Sequence, residues 1–486
     1  MKIVKDASIN FLNSLINSAL GFLFTFLILR FSTHNTAALY FLTFSITYLL
    51  YLPSLGILAA IVSRYVAYYY GRKHVVGLKT MLFGSLILSF IISLSMGLLT
   101  YVALPFIEQF YPLFRGYELA ISILISIIGP IGLIMALMNA THRFKDSFIS
   151  QTILNITKLS IAAFLLYQTH RLDFNQIVFA SAIGITLSYT YGISKVLNAF
   201  WPPKIDISSL GNLWSKIKYG ISSITSSIRS FIFSWFDIII LGYIRSAEDV
   251  AGYNAVLTII RNPMRIINST MATTLLPHMS KRHGEDMLNS SFLNEALRLM
   301  AYISFISIAY ITLLSDRIIY LLFPKYTAYH NISLLIGLSF IFIGLTTIIR
   351  NYVKAIRWAK PLFYSSMGAL IINIILDILL IPTFGPMGAA LATAISCIFE
   401  FTFIYIYVSK KESIDLRHLK YPIAVVIPFI IIGLLIRTVV AKTLYLFMII
   451  TLLLALPIIL IAYIEKRWFN IVKEYVETVL KNYHIK

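Results

Sequence analysis

Fourteen apolar runs punctuate this sequence, at roughly 8–30, 37–63, 79–104, 119–141, 148–169, 174–197, 219–243, 250–276, 296–315, 331–353, 362–381, 387–408, 421–440 and 443–464. A helix of about 20 apolar residues crosses the hydrocarbon core of a bilayer, and every run is long enough to do so. In lipid each run has to be helical, because an unpaired backbone amide or carbonyl finds no water to bond. The expected fold is therefore all-α integral membrane, with about fourteen transmembrane helices. Only 12% of residues are charged, against about 25% in soluble domains, so a soluble enzyme is excluded.

The formal net charge of +20 would suggest nucleic acid in a soluble protein. Its distribution argues otherwise. With a cytoplasmic N-terminus, roughly 26 Lys and Arg fall in inner segments and roughly 8 in outer ones, the bias expected of a membrane protein. One missed helix would scramble that alternation. The bias predicts a multi-pass protein of the cytoplasmic membrane with both termini inside and no nucleic-acid partner. The first run carries Asn10, Asn13 and Asn17 and lacks a short apolar core with a small-residue cleavage site, so it reads as a retained helix. The tail 466–486 has Trp468, Val472, Tyr475, Val476, Val479 and Tyr483 at helical spacing, an amphipathic helix lying on the inner interface.

A weak internal repeat divides the chain. Residues 29–42 (LRFSTHNTAALYFL) and 241–254 (LGYIRSAEDVAGYN) both end in a small-residue pair followed by an aromatic, and Pro53 and Pro263 follow in the next helix. Such similarity is how transporter repeats show themselves. It gives an N-lobe over 1–200, a C-lobe over 201–412, two extra helices over 413–465 and the tail. Six helices per lobe is an even number, so the lobes are parallel repeats related by a pseudo-two-fold axis along the membrane normal, with a cleft between them.

Polar residues inside the runs carry the chemistry. Asn254, Thr258, Arg261, Arg265 and Asn268 are spaced 4, 3, 4 and 3 apart, one face of a helix. Gln151, Asn155 and Lys158 repeat the pattern, and Arg229 and Asp237 lie in the seventh run. An Arg at the bilayer centre costs about 2.5–3.5 kcal/mol on insertion scales, so these cations need water, a counterion or a ligand. Cationic side chains in the runs outnumber Asp237, Asp377 and Glu400, and Asp377 reads as lying near an outer, solvated end. A positive cleft suits a diphosphate, since guanidinium forks bind two oxygens at once. Arg350, Lys354 and Arg357 share a face at an inner helix end, where snorkelling competes with a cavity role. The candidate substrate-binding residues are Arg261, Arg265, Arg229, Lys158, Arg350, Asn155, Asn254 and Asn268. Asp237 and Glu400 form a candidate ion or structural pair, either being a possible partner for Arg229. The first-helix asparagines read as interhelical glue, and many of the tyrosines as interfacial belts.

No phosphate-binding Gly-rich loop and no metal-spaced His pair is present, and Cys397 is the only cysteine. No catalytic residue, cofactor or metal is expected. Residues 373–396 (NIILDILLIPTFGPMGAALATAIS) and 235–256 (WFDIIILGYIRSAEDVAGYNAV) resemble signatures of the Wzx-type polysaccharide flippases. These belong to the multidrug/oligosaccharidyl-lipid/polysaccharide exporter (MOP) superfamily, together with MurJ and the MATE exporters. The resemblance implies a monomeric MATE/MurJ-like transporter that moves a polyprenyl-diphosphate-linked oligosaccharide to the outer leaflet by alternating access. Its partners would be the lipid-linked saccharide diphosphate, membrane lipids and other polysaccharide-assembly proteins. The competing reading is a cation-coupled MATE-type drug exporter, whose cavities use carboxylates that this chain largely lacks.

Overall fold

The computed structural model describes residues 2–204, 206, 216, 228–284, 290–356, 358–411 and 414. The runs at 421–440 and 443–464, the tail, Arg357 and most of 207–227 lie outside the described residues.

The described chain is almost wholly helical: α1 (Lys2–Phe31), α2 (His34–Ile61), α3 (Val75–Ile107), α4 (Glu118–Ala140), α5 (Phe144–Thr169), α6 (Phe174–Phe200), α7 (Asp237–Ile244), α8 (Ala247–Gly284), α9 (Ser290–Leu322), α10 (Ser333–Ala355), α11 (Ala359–Phe384) and α12 (Pro386–Ser409). A π-helical turn (Val62–Val66) and a last turn (Ala67–Gly71) extend α2, and a second π-helical turn (Ile232–Phe236) leads into α7. Among the described residues, ten helices are long and apolar enough to cross a membrane. Of the fourteen runs expected, two fall wholly outside the description. The described part of the seventh is short, and Arg261, Arg265 and their Asn neighbours lower the apolarity of α8.

Local chemistry sets the helix ends. Asp173 and Gln176 form a reciprocal capping box at the start of α6 (2.8 and 3.1 Å), which satisfies two orphan amides. His170 closes α5 in the left-handed region (φ 57°). Gly385 does the same for α11 (φ 56°), a conformation glycine adopts without steric cost. Arg245 completes that end, donating to the carbonyls of Ile381 (3.2 Å) and Pro382 (2.8 Å). Several helices outrun the apolar runs that announce them. α8 is 38 residues long, about 57 Å at 1.5 Å per residue, because polar residues leaving the lipid do not stop a helix.

The described residues pack as two compact units. The first is Ile9–Asn254 with Ile381–Gly385, and the second takes Ala255–Leu380, the described residues from Pro386 onward and the start of α1. In the first unit α3 packs on α4, α5 on α6, and α4 on α6. In the second, α10 packs between α9 and α12. The packing boundary falls at Asn254, whereas the repeat divides the chain near residue 200, and the cause is local to α7. Gly242 lies so close to α2 that an added methyl would sit 2.3 Å from Leu42 Cδ2. Trp235 stacks on Tyr48 at 5.0 Å, and Tyr111 donates to the Ile239 carbonyl at 3.1 Å. Burial, and secondarily Tyr243, pushes the Tyr111 phenol up to about 12.

Candidate functional site

A cavity of about 270 Å³ opens inside the first unit, lined from α2, α4, α5 and α6. Thr47, Tyr48 and Tyr51 come from α2, Gln151, Asn155 and Lys158 from α5, and Ser181 from α6. Two glycines shape it. A methyl on Gly129 would lie 2.4 Å from the Tyr51 ring, so α4 leaves room there for a large aromatic. A methyl on Gly184 would lie 2.8 Å from the Leu154 carbonyl and 3.3 Å from Lys158 Cβ, so α6 approaches α5 closely beside the lysine. Tyr51 is fixed by donation to the Ile125 carbonyl at 2.5 Å. Asn155 Nδ2 donates to Asn17 Oδ1 at 2.8 Å, and Asn17 donates to Asn13 at 2.6 Å. This ladder ties α1 to α5, the interhelical role expected of asparagines in a bundle. The side chain of Asn10 lies outside the described residues.

Among the described residues Lys158 is the only cation lining the cavity, and no carboxylate lines it. It sits eleven residues before Thr169, the nearer end of α5, about 16 Å along the axis and beyond snorkelling reach. Its charge-stabilising contact is the Phe24 ring, 4.8 Å away. Such a contact is worth about 0.5–2 kcal/mol, against about 2.5–3.5 kcal/mol for a cation at mid-membrane. The ring offsets part of the cost and leaves the charge available to an anion.

The second unit treats its cations differently. On α8, Asn254 and Thr258 are buried, Arg261 and Asn268 are half-buried, and Arg265 is exposed. The stripe read from spacing thus begins in packed protein and ends on accessible surface. Asn268 Oδ1 has no hydrogen-bond partner among the described residues. Arg350, on α10, turns inward. Its Nη1 donates to Glu400 Oε1 at 3.1 Å and to Ser366 Oγ at 2.7 Å, and Ser366 donates to the same carboxylate oxygen at 3.3 Å. Arg350 and Glu400 side chains are 14% and 1% exposed, so this is a buried ion pair and not a snorkelling arginine. Lys354, one turn on, is exposed.

Three acids complete the picture. Glu400 is the partner of Arg350. Asp237 is buried and accepts from the Tyr253 hydroxyl and from the Ile238 amide at 2.8 Å. Arg229 is half-buried with its guanidinium 5.1 Å from the Phe233 ring. Asp377 is fully buried, which corrects the expectation of a solvated outer end. α11 runs seven residues past it to Phe384, about 10 Å, so the carboxyl lies inside the helix. Asn373, one turn earlier, is also buried and has neither amide atom hydrogen-bonded among the described residues.

The structure brings Lys158, Asn155 and Gln151 together on one cavity wall, and pairs Arg350 with Glu400. Sequence reading missed Tyr48, Tyr51 and Ser181. The spacing of Phe44, Tyr48 and Tyr51, 4 then 3, was a legible helical stripe, hidden among many interfacial aromatics. Among the described residues no group of His, Cys, Asp and Glu could hold a metal ion.

Comparison with known proteins adds the family. The profile described as "Lipid II flippase MurJ" matches residues 119–471. The chain is 23% identical over 250 residues to a probable low-salt glycan biosynthesis flippase, Agl15, of Haloferax volcanii, covering 51% of this chain and 52% of that one. It is 24% identical over 300 residues to a probable flippase, AglR, of the same organism, covering 60% of each. The chain thus spans about half to three fifths of the length of these curated relatives. A solved lipid II flippase MurJ in an inward closed conformation superposes with a TM-score of 0.75 at 17% identity, over 94% of this chain and 98% of that one. An inward-facing multidrug MATE transporter of the MOP superfamily gives 0.61 at 14% identity, over 82% and 95%. The architecture is therefore of the MurJ/MATE kind, and the profile, which covers well over half of the chain, places this protein in the MurJ family.

Proposed function

We propose that this protein is a flippase and not an enzyme: it carries a polyprenyl-diphosphate-linked saccharide from the cytoplasmic to the outer leaflet of the cell membrane by alternating access. Membership in the MurJ family supports the flippase reading, and the name of one Haloferax relative, a probable low-salt glycan biosynthesis flippase, supports a glycan cargo. The observation that carries it is the accessible end of the α8 stripe. Arg261 and Arg265 lie fourteen and eighteen residues into α8, about 21 and 27 Å from its start, yet both remain accessible. Guanidinium groups that stay accessible at that depth are open to water or an anion. Two Arg one turn apart present forked donors for the oxygens of a diphosphate, and both stay charged at physiological pH. Asn268 continues the same face with an amide oxygen able to accept from a sugar hydroxyl. Lobes over 1–200 and 201–412 would provide the two moving bodies, and both termini would be cytoplasmic.

The test is thermal unfolding of the purified chain with a short-chain polyprenyl diphosphate sugar and, separately, a lipophilic drug cation. A ligand specific for the folded state at 100 times its Kd stabilises by about 2.7 kcal/mol. Stabilisation by the diphosphate that Arg261→Ala/Arg265→Ala abolishes is the expected result. Stabilisation by the drug alone, unchanged in that variant, would overturn the reading in favour of a MATE-type exporter.

A further inference from the structure

The diphosphate site proposed on α8 gives Lys158 and its cavity no role. We propose that this cavity is a subsite for a single acidic sugar, a pyranose ring carrying one carboxylate, with Lys158 Nζ as the partner of that carboxylate. The inference rests on the flippase reading for its cargo, and on the following observations for its chemistry.

The charge matches a monoanion. Among the described residues Lys158 is the only cation in the lining, no carboxylate accompanies it, and it makes no ion pair. A diphosphate carries more charge than one ammonium neutralises, and recognition of phosphate oxygens favours several converging N–H donors. Here the rest of the wall is of another kind. Tyr48 presents an aromatic ring with the buried Tyr51 behind it, Gln151 and Asn155 bring amides, and Thr47 and Ser181 bring hydroxyl oxygens to the wall. Flat apolar faces beside amides and hydroxyls suit a hydroxylated ring, whose C–H face is apolar and whose rim both donates and accepts. Tyr48 is held by its stack on Trp235 at 5.0 Å, and Asn155 by its bond to Asn17, so two of these groups are preorganised. The cavity of about 270 Å³ has room for one ring and its substituents. Phe44, Ile128, Ile131, Leu154 and Ile185 complete the wall with apolar side chains, and a low local dielectric sharpens discrimination between a carboxylate and a neutral hydroxymethyl.

The experiment uses the full chain in phosphatidylcholine nanodiscs, titrated with methyl glucuronide, methyl glucoside or inorganic phosphate. Tryptophan emission, to which Trp235 contributes, and melting temperature are read together. The glucuronide is expected to bind at least tenfold more tightly than the glucoside, with phosphate a poor competitor. Lys158→Gln removes that preference and Tyr48→Ala weakens glucuronide binding several-fold. Equal binding of both glycosides, or a preference that survives Lys158→Gln, overturns the proposal. Displacement by phosphate at concentrations equal to the glucuronide also overturns it and assigns Lys158 to a phosphate. If Lys158→Gln fails to fold, Tyr48→Ala and the glycoside ratio in the unaltered chain still decide. Glucuronide binding without any response to the polyprenyl diphosphate sugar would sink the flippase reading and keep this subsite. The reverse would sink the subsite alone.

Discussion

Two cations inside apolar runs meet opposite fates. Arg350 in the second unit is closed off by Glu400 and Ser366, whereas Lys158 in the first lines a cavity with, among the described residues, only the Phe24 ring against its charge. The contrast separates charge that holds the fold from charge kept for a ligand. A buried ion pair roughly balances its own desolvation, so its worth shows only when one partner is lost. A cation facing a cavity has no protein partner to orphan, so the folded state tolerates its removal. Both residues are cationic in apolar runs, and only the geometry tells them apart.

The largest effect tests that asymmetry directly. Glu400→Gln leaves Arg350 buried without its counterion and should cost about 3–5 kcal/mol of stability, read as a large fall in melting temperature. Lys158→Gln should leave melting unchanged or raise it, since it relieves a mid-membrane charge only partly offset by Phe24. Equal losses in the two variants would break the comparison and show that Lys158 also serves the fold.

Much of this contrast was written in the chain, and the missing part has a clear physical origin. Apolar runs report helices because a backbone in lipid has one local solution, and α1 to α6 and α9 to α12 follow them. The spacing of Gln151, Asn155 and Lys158 reported a shared face because that face depends only on 3.6-residue periodicity. What periodicity cannot report is the partner across the gap. Glu400 is fifty residues from Arg350, and as sequence it was an equally good counterion for Arg229. The helix ends were also blurred, since hydropathy marks where lipid stops and a helix such as α8 does not stop there. That blurring misplaced Asp377, which became buried once α11 was seen to reach Phe384.

A smaller effect sharpens the boundary of the first unit's cavity. Asn17→Ala removes the acceptor of Asn155 Nδ2 and should cost about 0.6 kcal/mol, the average for an interhelical hydrogen bond in lipid. If the cavity wall depends on that ladder for orientation and not for stability, glucuronide binding falls while melting barely moves. A loss of stability near that of Glu400→Gln would instead place the ladder among the structural networks.

The smallest effect lies where water replaces both solutions. In the turn between α3 and α4, Glu108 is held above the usual carboxylate range, first by a hydrogen bond shared with the Glu118 carboxyl and then by desolvation and repulsion from it, with Arg115 opposing. A raised acid favours its protonated form in the folded state. Its stabilising contribution is therefore complete below the ordinary carboxylate pKa and is lost as pH rises through the raised value. Above that point two carboxylates face each other, screened by solvent and salt. Glu108→Gln removes the repulsion and leaves the Gly116 amide bonded to Glu118 Oε1 at 2.8 Å, so the variant should gain slightly in melting temperature at about pH 7 and show no gain at about pH 4. A gain of equal size at both values would mean that the pair does not share a proton. A gain rivalling the loss in Glu400→Gln would mean that the turn is sheltered from water, and that charges there obey the rules of the buried helices and not those of the surface.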